Sequence, residues 1–222
     1  GDGALLAKML EFSAWLCGQQ PFEACVSYDH SASPHLVMNV KRAARSAFSN
    51  VTEILYPVPE HKSWPYAANW AFQHAADFMS QANSPWLWWE GDAVPLSPDW
   101  LHVLDYEYRR RNKMFFGPIV PGMGHMNGVG IYPAQTPQIA PRAMQSQWGA
   151  WDSDMKPDMI HLCYDATSLI QHCWGIVNNQ PHERDGKAAH FDTKDKLGWL
   201  LTSAVLFHRC KDGSLIDRLR EV

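Results

Sequence analysis

Two hydrophobic periods alternate along this chain. Leu5, Met9, Phe12 and Leu16 recur at helical spacing, so residues 4–17 read as an amphipathic helix, and "FEACVSYD" (22–29) then reads as a buried strand ending in a polar turn. Leu36, Val40, Ala44 and Phe48 restore the helical period over 35–48, and "TEILYP" follows as a short strand. Ser63-Trp64-Pro65 suits a helix start, with Ser at the N-cap and Pro in the first turn, and that helix runs to about Gln81. The strand "WLWW", a helix near 98–111, the strands "KMFFGPIV" and "NGVGIYPA", and a last strand "SAVLFH" complete the order. This succession predicts an α/β fold, a single domain over residues 1–222 with a central mixed sheet flanked by helices.

The remaining stretches are less regular. Residues 135–158 dissolve into Pro, Gln, Met and Asp and read as loops around an acceptor or lid region. Residues 164–173 read as helical and 179–194 as a mobile loop. "GDGALLAKMLEF" and "KDGSLIDRLREV" echo one another, which shared Asp-Gly turn chemistry explains more simply than a repeat.

With 222 residues, 46% of them hydrophobic, the chain can bury a substantial core. A formal net charge of −4 gives no bulk demand for nucleic acid or an anionic membrane. The basic run "YRRRNK" (108–113) reads as a solvated helix end or as a phosphate contact. Cysteines 17, 25, 163, 173 and 210 are an odd set without paired short spacings, which fits reduced thiols and a cytoplasmic location. No apolar run reaches the roughly 20 residues that span a bilayer.

Carboxylates follow directly on the apolar strand in "SPWLWWEGDAVPLSPDW" (84–100). In open α/β sheets ligands gather beyond the carboxyl ends of strands, and a rigid apolar strand holds its end precisely. Glu90 and Asp92 flank a glycine that permits a tight backbone path, so both can face a hard divalent cation such as Mg²⁺ or Mn²⁺. An isolated E-G-D is equally readable as a solvated turn.

In context, "PWLWWEGDAVPLSPDWL" resembles the strand and metal-binding loop of GT-A-fold glycosyltransferases, whose Asp-x-Asp motif, or Glu-x-Asp variant, precedes an apolar residue, a proline and a helix. "KSWPYAANWAF" is similar to the helix before that loop, "FFGPIVPGMGHMNGVGIYP" to the strands that build the sugar and acceptor pocket, and "AVLFHRCKDGSL" to the C-terminal segment where a histidine completes the metal site. The blocks occur in family order over residues 4–216, although the family opens with a strand before its first helix and this chain opens at "GDG".

The resemblance implies a GT-A-like, Rossmann-like domain, residues 1–100 binding a nucleotide-sugar and 101–222 the acceptor. It implies a metal-dependent transfer of a sugar from a nucleotide diphosphate sugar, a UDP-sugar by family pattern, to a hydroxyl. Asp92 and His208 would bind the metal, and Glu90 the metal, its water or the ribose. An imidazole ligand tilts the metal toward Mn²⁺. Tyr28 and Asp29 would meet the base or ribose, Lys62 and Asn69 the nucleotide-sugar, and Lys211 and Ser214 the diphosphate. Asp152 and Asp165 are the candidate bases for an acceptor hydroxyl. Asp29 and Asp165 also read as helix-start residues, and His208 as a hydrogen-bonded strand-end histidine.

Eleven tryptophans fit core packing, with Trp148 and Trp151 the candidates for acceptor contact and Trp86 and Trp88 for the core. His161, Cys163, His172, Cys173, His208 and Cys210 lack the doublet spacing of a structural zinc site. No P-loop, dinucleotide fingerprint or hydrolase elbow occurs. Two functions of different class remain: a glycosyltransferase, and a non-catalytic nucleotide- or glycan-binding module on the same fold. The acceptor would be a polysaccharide or a hydroxymethylated DNA base, as in bacterial and phage enzymes. A DNA acceptor would recruit "RRRNK" and the lysines of 187–196.

Overall fold

The structure, a computed structural model, describes residues 2–172, 174–177, 180–183 and 200–221. Helix α1 (Asp2–Cys17) leads into a strand–helix–strand unit made of β1 (Gln20–Asp29), α2 (Pro34–Ala47) and β2 (Phe48–Tyr56). β1 and β2 pair in parallel, with Glu23–Asp29 opposite Asn50–Tyr56. Parallel neighbours need a crossover, and α2 supplies it by burying Val40, Ala43, Ala44 and Ala47. A helix, α1, thus comes before the first strand among the described residues. It packs along α2, and buries Met9, Leu10 and Phe12.

Helix α3 (Tyr66–Ala82) and α4 (Trp100–Arg111) bracket two short strands, β3 (Trp86–Trp88) and β4 (Ala93–Pro95). Both helices end where an asparagine, Asn83 or Asn112, takes the left-handed conformation. β5 (Phe115–Gly117) and β6 (Gly130–Tyr132) follow. Four short helices come next, α5 (Thr136–Ile139), α6 (Pro141–Gln145), α7 (Trp151–Asp154) and α8 (Lys156–Met159). The chain closes with β7 (Cys163–Asp165), β8 (Ile170–His172), β9 (Trp174–Val177), β10 (Gln180–Glu183), β11 (Leu206–His208) and α9 (Ser214–Arg220).

The fold is mixed α/β, but among the described residues its strands form several small sheets instead of one. β1 and β2 stand as a pair, β3-β6-β5-β7 form a second sheet, β4-β11-β8 a third and β9-β10 a hairpin. In the second sheet β6 runs antiparallel to both β3 and β5, while β5 and β7 are parallel. The third sheet positions the site: β4, directly after the E-G-D loop, pairs with β11, and His208 lies opposite Ala93. The expected division at residue 100 is thus crossed by a sheet that takes one strand from the first half and two from the second.

Of the expected helix over 164–173, residues 164–172 are not helical and 173 lies outside the described residues. Residues 163–172 form β7, a turn and β8, because Phe116 pairs Tyr164 and Phe207 pairs Gln171, and tertiary pairing overrides weak local preference in such short segments. Residues 135–158 are not an open lid either. They fold as single helical turns that bury Thr136, Ala140, Ala143, Trp151, Met155 and Met159 beneath α3. At the centre of this core, fully buried Phe72 stacks on Trp151 with centroids 3.5 Å apart and meets Trp86, Trp88 and Tyr132 edge-on or tilted. Of the expected loop at 179–194, Gln180–Glu183 is strand β10 and 184–194 lies outside the described residues. No helix among the described residues is long and apolar enough to cross a membrane.

Candidate metal centre

The loop between β3 and β4 carries Glu90, Gly91 and Asp92, and its tight path is held from below. A side chain at Gly91 would lie 3.1 Å from Leu6 Cβ and 3.2 Å from the Leu6 backbone, so only glycine lets α1 sit against this loop. Arg209 and Cys210 both donate their backbone N–H to Asp92 O. These bonds tie the E-G-D loop to the end of β11 and bring His208 and Lys211 alongside.

One ligand atom from each of Glu90, Asp92 and His208 lies within 4.8 Å of the other two. His208 Nε2 is 3.3 Å from Glu90 Oε2 and 3.4 Å from Asp92 Oδ1. Two neighbouring ligands at ~2.1 Å from one cation stand roughly 3 Å apart, so the donor set fits an ion without rearranging the loop. Asp92 and His208 are both 5% exposed, and Lys211 Nζ lies 2.8 Å from Asp92 Oδ2. His208 Nδ1 is buried and has no hydrogen-bond partner among the described residues.

Charge here is already balanced without a metal. Burial opposes ionisation of Asp92, yet His208 and Lys211 hold its carboxyl well below the usual range. Burial likewise opposes the His208 imidazolium, but Asp92 and Glu90 raise it to about 9. In the metal-free protein a proton on His208 therefore occupies the electrostatic position of a cation. Its contribution to stability is fully present below the ordinary histidine pKa and is lost as pH rises through about 9.

A metal ion bound by His208 must displace that proton. Mn²⁺ affinity should therefore rise about tenfold per pH unit between roughly pH 7 and 8, with one proton released. Calorimetry in buffers of different ionisation enthalpy reads that proton directly. A flat pH response would remove His208 from the ligand set.

The Glu90 side of the site is more open, with a 35% exposed side chain, but its carboxylate is held. Trp88 Nε1 donates to Glu90 Oε1 at 3.2 Å, and a Cβ on Gly128 would come within 2.8 Å of that same oxygen. Tyr132 Oη donates to Gly128 O at 2.6 Å, fixing this close approach. Asp152 lies in the same field: burial raises its pKa, His125 opposes the rise and Glu90 adds to it. Among the described residues Asp152 itself accepts a hydrogen bond from Ser153 N and is not one of the three clustered ligand groups.

Other expected site residues stand apart from the cluster. Asp165 accepts hydrogen bonds from Ile119 N, Thr167 N and Thr167 Oγ1, the turn-capping role. Asn69 is buried, and its amide spans Gln147 O, Gly149 O and Trp151 N, so it holds a loop and does not face a nucleotide. Ser214 hydrogen-bonds Asp212 at the start of α9. At the carboxyl end of β1, Asp29 bonds Ser31, Lys62 donates to Ser31 Oγ at 2.9 Å, and Tyr28 Oη bonds Glu53, a separate polar group from the Glu90 cluster.

Trp151 is 5% exposed and belongs to the core, whereas Trp148 is 66% exposed. The arginines of "RRRNK" are ion-paired within α4, Arg109 to Asp105 and Arg110 and Arg111 to Glu107. Cys17, Cys25, Cys163 and Cys210 are free thiols, and among the described residues no cysteine joins a metal-ligating group. Cys173 and the lysines of 187–196 lie outside the described residues.

Two further histidines are not assigned to this site from the sequence. His172 pairs in register with His208, and their rings meet edge-on at 5.0 Å. Burial, then the charge of His208, lower its pKa to about 2, so it stays neutral. His125, buried, has Nδ1 3.1 Å from Met126 O and lies in the field of Asp152. No family model, curated protein or solved structure gives a significant match to this chain.

Proposed function

We propose that the protein is a metal-dependent glycosyltransferase of GT-A-like fold, moving a sugar from a nucleotide diphosphate sugar, a UDP-sugar, to an acceptor hydroxyl. The observation that carries this reading is the convergence of Glu90 and Asp92, from a strand-end loop, with His208, more than one hundred residues away, at separations a divalent cation would span. The order β3-β6-β5-β7, with a single antiparallel strand, and the placement of the acidic loop beyond β3 accord with it.

Asp92, His208 and Glu90 would hold the ion, Mn²⁺ or Mg²⁺, which when bound supplies positive charge to a donor diphosphate. Lys211 is cationic, 57% exposed at its side chain and anchored to Asp92, so it can turn toward the diphosphate as negative charge develops there. Asp152, its carboxyl made more basic by burial, would take the acceptor proton if the transfer inverts the sugar carbon. Trp88 and Gly128 fix the Glu90 carboxylate.

One observation favours a second reading, a non-catalytic binding module. The two carboxylates, the imidazolium and Lys211 already form a neutral network. Turnover separates the two: given Mn²⁺, a UDP-sugar and an acceptor hydroxyl, or water in its place, the transferase moves the sugar to that oxygen and releases the nucleoside diphosphate UDP, and chelation stops it. Tight donor binding with no diphosphate release from any donor would establish the module instead.

A further inference from the structure

An aromatic ladder crosses the surface between α3 and the loop that follows α6. Tyr56 stacks on His74 with centroids 5.4 Å apart, His74 meets Trp70 at 4.7 Å, and Trp70 lies nearly parallel to Tyr66 at 6.3 Å. Trp148 continues the series at 5.5 Å from Tyr66, with His61 wedged beside both. Trp148 is 66% exposed, and neighbouring Trp64 is 77% exposed. Tyr56 is buried and Tyr66, Trp70 and His74 are half-buried, so the ladder backs two water-facing rings, Trp148 and Trp64, and grouped exposed rings mark a ligand surface.

The loop that presents Trp148 is fixed in place. Asn69 donates to Gly149 O at 2.7 Å and to Gln147 O at 3.2 Å and accepts from Trp151 N. Gln73, one turn further along α3, donates to Ala143 O and Ser146 O. Ser146 Oγ donates to Gly149 O. The rings of α3 and the ring of Trp148 are therefore bolted to the same helix, so little ordering remains to be done on binding. Beside Trp148 opens a depression of about 470 Å³ edged by Gln145 and Gln147, whose amides hydrogen-bond hydroxyls, and by Arg142 and Asp154, which are paired with Asp158 and Ser146.

We infer that this ladder is a carbohydrate-binding platform that seats an oligosaccharide acceptor. It deepens the transferase reading, resting on it for the word acceptor, by choosing a glycan over DNA. Flat rings take the apolar faces of sugar rings, and amide groups at the edge take their hydroxyls. A nucleic acid would stack equally well but needs cations for its phosphates. The cations at this edge are engaged: Arg142 pairs with Asp158, and Lys62 donates to Ser31.

The test uses the whole chain without metal or donor. Indole N–H resonances are followed while cellohexaose, maltoheptaose, chitohexaose and single-stranded oligothymidylate are added separately. At least one oligosaccharide should shift the Trp148 and Trp64 indoles saturably, and Trp148→Ala should weaken that binding roughly tenfold, the size of one lost ring-stacking contact. Trp148→Leu keeps an apolar side chain without a flat face, and it should weaken binding as much.

Full binding by the Leu variant, no shift with any oligosaccharide, shifts with oligothymidylate alone, or shifts that follow protein concentration through self-association would each overturn the platform. Diphosphate release by the wild-type protein is measured separately. Sugar binding without donor turnover would leave the platform standing and remove the transferase reading, and donor turnover without sugar binding would do the reverse.

Discussion

Asp92→Asn should reduce Mn²⁺ binding at least roughly a hundredfold and bring any diphosphate release to background. Losing a partner that only orients a metal ligand already costs about 10–100-fold, and in the proposed centre Asp92 would itself be a ligand, 5% exposed and fixed by Arg209 and Cys210 through its own carbonyl. The substitution preserves shape and removes charge. It also strips His208 and Lys211 of their shared counter-ion. A stranded buried charge costs about 3–5 kcal/mol, but here Lys211 can swing into water and His208 can shed its proton, so a loss of about 1–2 kcal/mol is expected. Free Mn²⁺, counted by its electron paramagnetic resonance signal, gives the binding, and urea unfolding gives the stability. Unchanged binding in a folded Asp92→Asn protein would exclude the centre.

Asn69→Ala should destabilise the protein by about 3 kcal/mol, because buried backbone groups at Gln147, Gly149 and Trp151 lose their partner together. For a chain of this size that is a fall of roughly 6–12 °C in Tm. The same change frees the Trp148 loop from α3, so the Trp148 resonance should broaden while the Phe72–Trp151 core stays ordered. A change within about 0.5 kcal/mol would mean that the loop is held by its own short helices and not by Asn69.

These two residues also show what can be read along a chain and what cannot. Asp92 is conspicuous, since a carboxylate pair at the end of "WLWW" is a local pattern. Asn69 offers nothing local, because its partners lie 78 to 82 positions away, so its resemblance to a nucleotide-facing asparagine misleads. The long helices and the β1-α2-β2 unit are legible because their hydrophobic periods persist for nine or more residues. β7 and β8 span three residues each, too few for a period, and their strand character comes only from Phe116 and Phe207 across the ladder.

Trp148 and Trp151 look alike in sequence, yet one faces water and the other stacks on Phe72. That difference arises from a loop anchored by Asn69. His172 is legible only as a candidate zinc ligand without the spacing for one, since its place beside His208 depends on a strand pairing that three residues cannot announce.

The most direct measurement is anomalous X-ray scattering from crystals soaked in Mn²⁺ at a pH near 8, with metal-free crystals as the reference. A peak should appear within bonding distance of Asp92 and His208 Nε2, with Glu90 bound or linked through water, and it should vanish in Asp92→Asn crystals. Mn²⁺ found only elsewhere on the protein, or a cluster that stays closed on its imidazolium at saturating Mn²⁺, would contradict the metal centre and the sugar-transfer chemistry built on it.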